Sequence, residues 1–272
     1  MPYTYLKTTP LNPGVNPAKI HYRIEGAGEA LLILHGGWGC SVYPFDHQIT
    51  ALRTNWKVIV PDRSGYGRST HIADGLPTDF HHRAADETLA FLNQLGIDDA
   101  VIWGHSDGAV IGAILGIIAP DRIRSLILES FHYYRVKSRS LEFFEKLAFH
   151  PETLGESLRT RFEAEHGKEY WKTIITSQSK AWLDLAEKSK TGDEDLYGGR
   201  LHELRVPTLF IHGRHDPRTE PGELDAVRSA VRKCDMKILD AYHSPHSEAS
   251  TTDLTTRIAL EFLSRCADEV TS

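Results

Sequence analysis

With 272 residues and a mass of 30.6 kDa, the chain has room for one large domain or two small ones. Its 37 acidic side chains outnumber 31 basic ones, and the resulting charge of −6 argues against nucleic acid or an anionic membrane as partner, since both require a cationic face. A composition of 40% hydrophobic and 25% charged residues is that of an ordinary globule whose core needs neither a metal nor a disulfide to hold it.

Taken from the N-terminus, MPYTYLKTTPLNPGVNPAKI is rich in Pro, Thr and Asn and has no apolar core of a secretory signal, so the cytosol is the expected compartment. The next hundred residues alternate β-rich runs with helical patterns, as a mostly parallel sheet with helices on both faces requires. Strands are expected at about Lys19 to Glu25, Ala30 to Leu34, Lys57 to Pro61, Ala100 to Trp103 and Ile123 to Leu128, with helices at about Pro44 to Leu52, Asp79 to Leu95 and Ser106 to Ala119. The runs LLIL, VIV, VIW and LIL are continuously apolar, the mark of strands buried on both faces. The longest uncharged apolar stretch, Gly108 to Pro120, has 13 residues and falls short of the roughly 20 that span a bilayer.

From about Phe131 to Arg200 the strand signal stops and the pattern becomes helical, which reads as a helical cap inserted between two parts of the core, residues 1–130 and 201–272. Those 70 residues carry 12 basic and 12 acidic side chains, so the insert is neutral and the net charge belongs to the core. They also hold 11 of the 25 aromatics, which suits an apolar lid over a pocket; Phe131, Tyr133, Trp171 and Trp182 are the expected lining residues. Most of the rings must nevertheless pack the cap onto the core. After Arg200 the alternation resumes with strands at Thr208 to His212 and Met236 to Asp240 and helices at Glu223 to Lys233 and Thr252 to Arg265. Cys40, Cys234 and Cys266 lie far apart, fit no zinc spacing and read as reduced structural thiols.

The strongest chemical signal is Gly104-His105-Ser106-Asp107-Gly108 between the run AVIW and the helix AVIGAILGIIA. A G-x-S-x-G at a strand-to-helix turn is a nucleophile elbow: small flanking residues permit a strained turn that projects the serine hydroxyl from the sheet edge. The following helix aims free N–H groups and its positive end at the place where an oxyanion forms. His35-Gly36-Gly37-Trp38 follows the strand LLIL and brings backbone close to the same place, so the oxyanion donors are expected to be the N–H of Asp107 and that of Gly37 or Trp38.

A serine hydroxyl is a weak nucleophile and needs a base, which in turn needs an orienting acid. Asp216 in HGRHDP and His243 in AYHSPH each follow a predicted strand, where ligands bind in open α/β sheets. His246 competes with His243, and Glu129 at the end of SLILE competes with Asp216. Asp107 admits two readings: a carboxylate that attracts an ammonium group on the substrate, or an acid placed favourably at a helix N-terminus. Asp62 to Ser69 reads as a glycine-punctuated turn; His81, His82 and Asp86 lack the H-E-x-x-H spacing and read as solvent-facing; His212 and His215 read as turn histidines. No glycine loop of phosphate-binding type is present, so no nucleotide cofactor and no metal are expected.

HGG at 35–37, DRSGYGRS at 62–69, GHSDG at 104–108, HGRHD at 212–216 and YHSPH at 242–246 together resemble the α/β-hydrolase superfamily over nearly the whole chain. The resemblance implies an eight-stranded sheet and a triad of Ser106, Asp216 and His243. Within the superfamily, the Ser-Asp-Gly elbow, the short cap containing EAEHGKEYWKTIITSQSKAW and the return through LRVPTLFIHGRHD are similar to the biphenyl hydrolase-like (valacyclovirase) esterases, in which the aspartate after the serine selects α-amino esters. The HGGWG loop departs from the Pro-Gly start of that group. These features imply a serine hydrolase of small carboxylic esters or amides. The alternatives are a carbon–carbon bond hydrolase of the meta-cleavage type, whose anionic substrates Asp107 would repel, and a ligand receptor of the same fold, which turnover rate would separate from an enzyme.

Overall fold

A computed structural model describes residues 2–231 and 234–271. Eight strands form one sheet in the order β1-β2-β4-β3-β5-β6-β7-β8, where β1 is Tyr3–Leu6, β2 Ala18–Glu25, β3 Glu29–Leu34, β4 Trp56–Pro61, β5 Ala100–His105, β6 Ile123–Glu129, β7 Thr208–Gly213 and β8 Asp235–Leu239. The β1–β2 and β2–β4 pairs are antiparallel, and every later pair is parallel. This is the α/β-hydrolase fold.

The apolar runs explain why the sheet is internal. Leu32 and Leu34 of β3, Ile102 of β5 and Phe210 of β7 enter one core layer, while their neighbours Leu31, Ile33, Val101, Trp103, Leu209 and Ile211 enter the layer on the opposite face. Helices α2 (Phe80–Gln94) and α3 (Asp107–Ile118) close the first layer, and α1 (Asp46–Leu52) with α8 (Thr252–Thr271) closes the second. Strand β1 was not expected. It is a four-residue edge strand in which only Leu6 is buried and Tyr3 is 58% exposed, too short to show a period among the surrounding prolines. Helix α7 (Glu223–Ala230) stops short of the expected end, and positions 232 and 233 of that expectation lie outside the described residues.

Between β6 and β7 lie three helices, α4 (Leu141–Phe149), α5 (Glu156–His166) and α6 (Trp171–Glu187). Helices α5 and α6 hydrogen-bond to loops leaving the carboxyl ends of β3 and β4. Glu165 accepts the N–H groups of Cys40 and Ser41 at 2.6 and 2.9 Å, His166 Nδ1 accepts the Gly67 N–H at 2.9 Å, and Ser177 Oγ accepts that of Leu76 at 2.6 Å. Among the described residues no helix is long and apolar enough to cross a membrane.

Candidate active site

Ser106 stands between β5 and α3 with φ 55° and ψ −120°, a left-handed backbone that non-glycine residues rarely adopt. Its flanking glycines make the turn possible. A Cβ on Gly104 would sit 2.1 Å from the Gly108 carbonyl oxygen, and one on Gly108 would sit 2.0 Å from the Leu34 carbonyl oxygen. The turn is pinned by the Ser106 N–H donating to the Glu129 carbonyl at 2.9 Å and by the Ser106 carbonyl accepting from Ala109 at 2.8 Å.

The hydroxyl lies in line with a base and an acid. His243 Nε2 is 3.2 Å from Ser106 Oγ, and His243 Nδ1 is 2.8 Å from Asp216 Oδ2. Asp216, on the turn after β7, also accepts the Arg218 N–H at 2.9 Å. Burial works to raise its carboxyl, but the charge and hydrogen bond of His243, the charge of His212 and the Arg218 N–H prevail and hold it far below the ordinary carboxylate range. Burial and then the charge of Arg218 press His243 below its ordinary 6.5 despite Asp216, so the ring is a neutral acceptor near neutral pH. The competing pair is separate: Glu129 Oε1 accepts His246 Nδ1 at 2.8 Å, and Glu129 Oε2 accepts Trp103 Nε1 at 3.1 Å.

A second imidazole, which no sequence motif singled out, meets the same hydroxyl. His132 Nε2 is 3.3 Å from Ser106 Oγ. Because His243 Nδ1–H is committed to Asp216, His243 Nε2 must accept the hydroxyl proton, and His132 Nε2 must supply the N–H to Oγ. His132 Nδ1 is then a bare acceptor, buried without a partner among the described residues. Burial, then the charge of Lys137, keeps the His132 ring well below its ordinary value and hence neutral.

Ser106, His132 and His243 line a narrow cavity of about 360 Å³, counting its open mouth, together with Gly36, Gly37, Trp38, Asp107, Phe143, Phe144, Gln178, Trp182 and Arg218. The three residues expected to carry oxyanion donors are therefore brought to the serine. Gly37 is the close approach: a Cβ there would lie 2.4 Å from Gln178 Nε2 and 2.6 Å from Asp107 Oδ2. The Asp107 N–H heads α3, where the first N–H groups have no intrahelical acceptor.

The Asp107 carboxylate is occupied. Oδ1 accepts His81 Nε2 at 3.1 Å and Trp182 Nε1 at 3.2 Å, and Oδ2 accepts Gln178 Nε2 at 3.0 Å. Burial would raise this carboxyl, yet the hydrogen bond from His81, the charge of Arg63 and the hydrogen bond from Gln178 hold it below its ordinary value. His81 is thus not solvent-facing but buried, and burial keeps it a neutral donor. Of the four aromatics expected at the pocket, only Trp182 lines it. Phe131 packs on Phe210 with centroids 4.7 Å apart, Trp171 stacks on Phe162 at 5.9 Å, and Tyr133 meets Tyr134 at 5.1 Å while its N–H donates to Glu223 at 2.7 Å. Aromatic density marked the segment without marking which face of each element turns inward. Phe143 and Phe144 were missed for the same reason, and Arg218 was missed because it lies outside that segment, on the loop after β7.

A family profile for the α/β hydrolase fold matches residues 29–145. The chain is 24% identical over 238 residues to serine hydrolase BPHL of Mus musculus, covering 85% of this chain and 79% of that protein. It is also 24% identical over 259 residues to the bifunctional esterase/perhydrolase DCH of Acinetobacter calcoaceticus, covering 85% of this chain and 91% of that one. Among solved structures it is similar to a thermophilic esterase from Thermogutta terrifontis determined with malate bound, with TM-score 0.72, 21% identity and coverage of 98% of this chain and 99% of the other.

Proposed function

We propose that this chain, which has the α/β-hydrolase fold, is a serine hydrolase cleaving small carboxylic esters through an acyl-enzyme, a reading that its likeness to a serine hydrolase and an esterase supports. The observation that carries the reading is the line from Ser106 Oγ through His243 to Asp216, with separations of 3.2 and 2.8 Å. Ser106 Oγ attacks the ester carbonyl while His243 Nε2 takes its proton; Asp216 holds the ring in the required tautomer and balances the imidazolium. The N–H groups of Asp107 and of Gly37 or Trp38 receive the tetrahedral oxyanion, each worth about 3 kcal/mol in comparable sites. His243 returns the proton to the leaving alkoxide, and water repeats the sequence on the acyl-enzyme. Helices α4–α6 act as the cap that excludes solvent, and the small cavity supports a short acyl group.

Amine selection by Asp107 does not form part of this reading, because three protein donors already occupy the carboxylate. The test is covalent labelling by a fluorophosphonate together with the burst of 4-nitrophenol from 4-nitrophenyl butyrate. Wild type is expected to label at Ser106 and to show the burst, whereas Ser106→Ala loses both, with turnover down by a factor on the order of 10⁴ or more and an unchanged melting temperature. Undiminished turnover in Ser106→Ala would remove the serine from the mechanism.

A further inference from the structure

We propose that Arg218 makes this pocket selective for esters that carry a second, free carboxylate. The inference rests on the serine hydrolase reading above and names its substrate class. Arg218 lies on the loop after β7, lines the cavity that holds Ser106 and His243, and is half-buried. Its guanidinium carbon is 4.6 Å from the centre of the Phe143 ring and 5.4 Å from that of Trp38. The two rings are themselves 5.5 Å apart, so both flank the group on one side, and its N–H donors have no protein acceptor among the described residues.

That lack of an acceptor runs against the charge balance of the molecule. In a chain with six more acidic than basic side chains, Arg23, Arg124 and Arg200 pair with carboxylates in the open, and buried Arg63 donates to the carbonyls of His35 and Gly36. Arg218 does neither. The two nearby acids cannot serve it: Asp107 is taken by His81, Gln178 and Trp182, and Asp216 by His243 and by the backbone N–H of Arg218 itself. A partly desolvated guanidinium with free edge donors, beside neutral imidazoles and aromatic walls, matches a carboxylate, which it can bind in a bidentate manner. The cation also reaches the reacting groups, since its charge helps to hold His243 and His132 below their ordinary values.

The carboxylate can enter on the acyl side or on the leaving group, and paired substrates separate the two. Mono-4-nitrophenyl succinate is compared with 4-nitrophenyl butyrate, and 4-acetoxybenzoate with phenyl acetate, for wild type, Arg218→Lys and Arg218→Met. In at least one pair wild type is expected to favour the anion in kcat/KM by roughly tenfold or more, acting mainly through KM. Arg218→Met should abolish that ratio whatever the absolute rates, and Arg218→Lys should retain part of it. Protection of Ser106 from a fluorophosphonate by glutarate, compared with neutral glutaramide, reads the same preference without turnover. Equal handling of anionic and neutral members by wild type, or a ratio unchanged in Arg218→Met, would reduce Arg218 to an aromatic brace and overturn the proposal. If Ser106 does not label and no ester turns over, the serine hydrolase reading fails instead; labelling with neutral turnover and no preference sinks only the role of Arg218.

Discussion

Asp107 follows the nucleophile at the head of α3, and its carboxylate ties α3 to α2 through His81 and to α6 through Gln178 and Trp182. The tie predicts a stability effect in place of a specificity effect. Asp107→Ala leaves three buried N–H donors without an acceptor, each costing roughly 1–3 kcal/mol, so the melting temperature should fall by at least about 5 °C. Turnover of an α-aminoacyl ester and of a neutral ester should fall together. A selective loss of the aminoacyl ester at unchanged melting temperature would restore the amine-binding role. At this scale the sequence was legible where local context is diagnostic. Ser106 is marked by glycines that a strained turn needs, and Asp216 and His243 by their positions after strands. His81 was misread because its partner is 26 residues away, and nothing in the helix itself signals a carboxylate opposite. His132 was missed because it follows a strand that carries no motif.

Elements were legible in proportion to how many of their residues are buried. The strands β3 to β7 and helix α3 are buried along most of their length, so hydrophobic continuity marks them without ambiguity. Edge strand β1, stabilised by pairing Tyr3 to Leu6 with His21 to Ala18, carries no such mark. The elbow is the element whose chemistry and stability cannot be separated. Gly108 is pressed against the Leu34 and His35 carbonyls, which are backbone and cannot move aside. Gly108→Ala should therefore cost on the order of 5 kcal/mol and lower the melting temperature by about 10 °C or prevent folding. Gly155, before α5, has open space where a Cβ would stand, with nothing within 4 Å, and serves as the control; Gly155→Ala is expected to stay within about 0.5 kcal/mol of wild type. Equal melting temperatures for the two variants would contradict the close packing of α3 against β3.

Over the whole molecule the unusual feature is a set of buried, neutral histidines: His35, His81, His105, His132, His166, His212 and His243. Burial is the first cause of a lowered value in each, and His35, His105 and His132 are displaced furthest below 6.5. The sign of the linkage follows. Below 6.5 the unfolded chain protonates these rings more readily than the folded protein does, so the unfolded state binds more protons and stability is lost as pH falls. The carboxylates add to the slope only at lower pH. Glu129, held at about 2 by the charge and hydrogen bond of His246 against its own burial, loses its contribution as pH drops from 4.5 toward 2, and Asp216 does so at lower pH still. Glu87, raised by burial, runs the other way. The melting temperature is therefore expected to be level above about pH 7 and to decline steadily from about 6.5 downward, well before carboxylates titrate. A melting temperature that stays level from pH 7 to pH 5 would mean that the buried histidines accept protons in the folded state and that the neutral site derived for His243 and His132 is wrong.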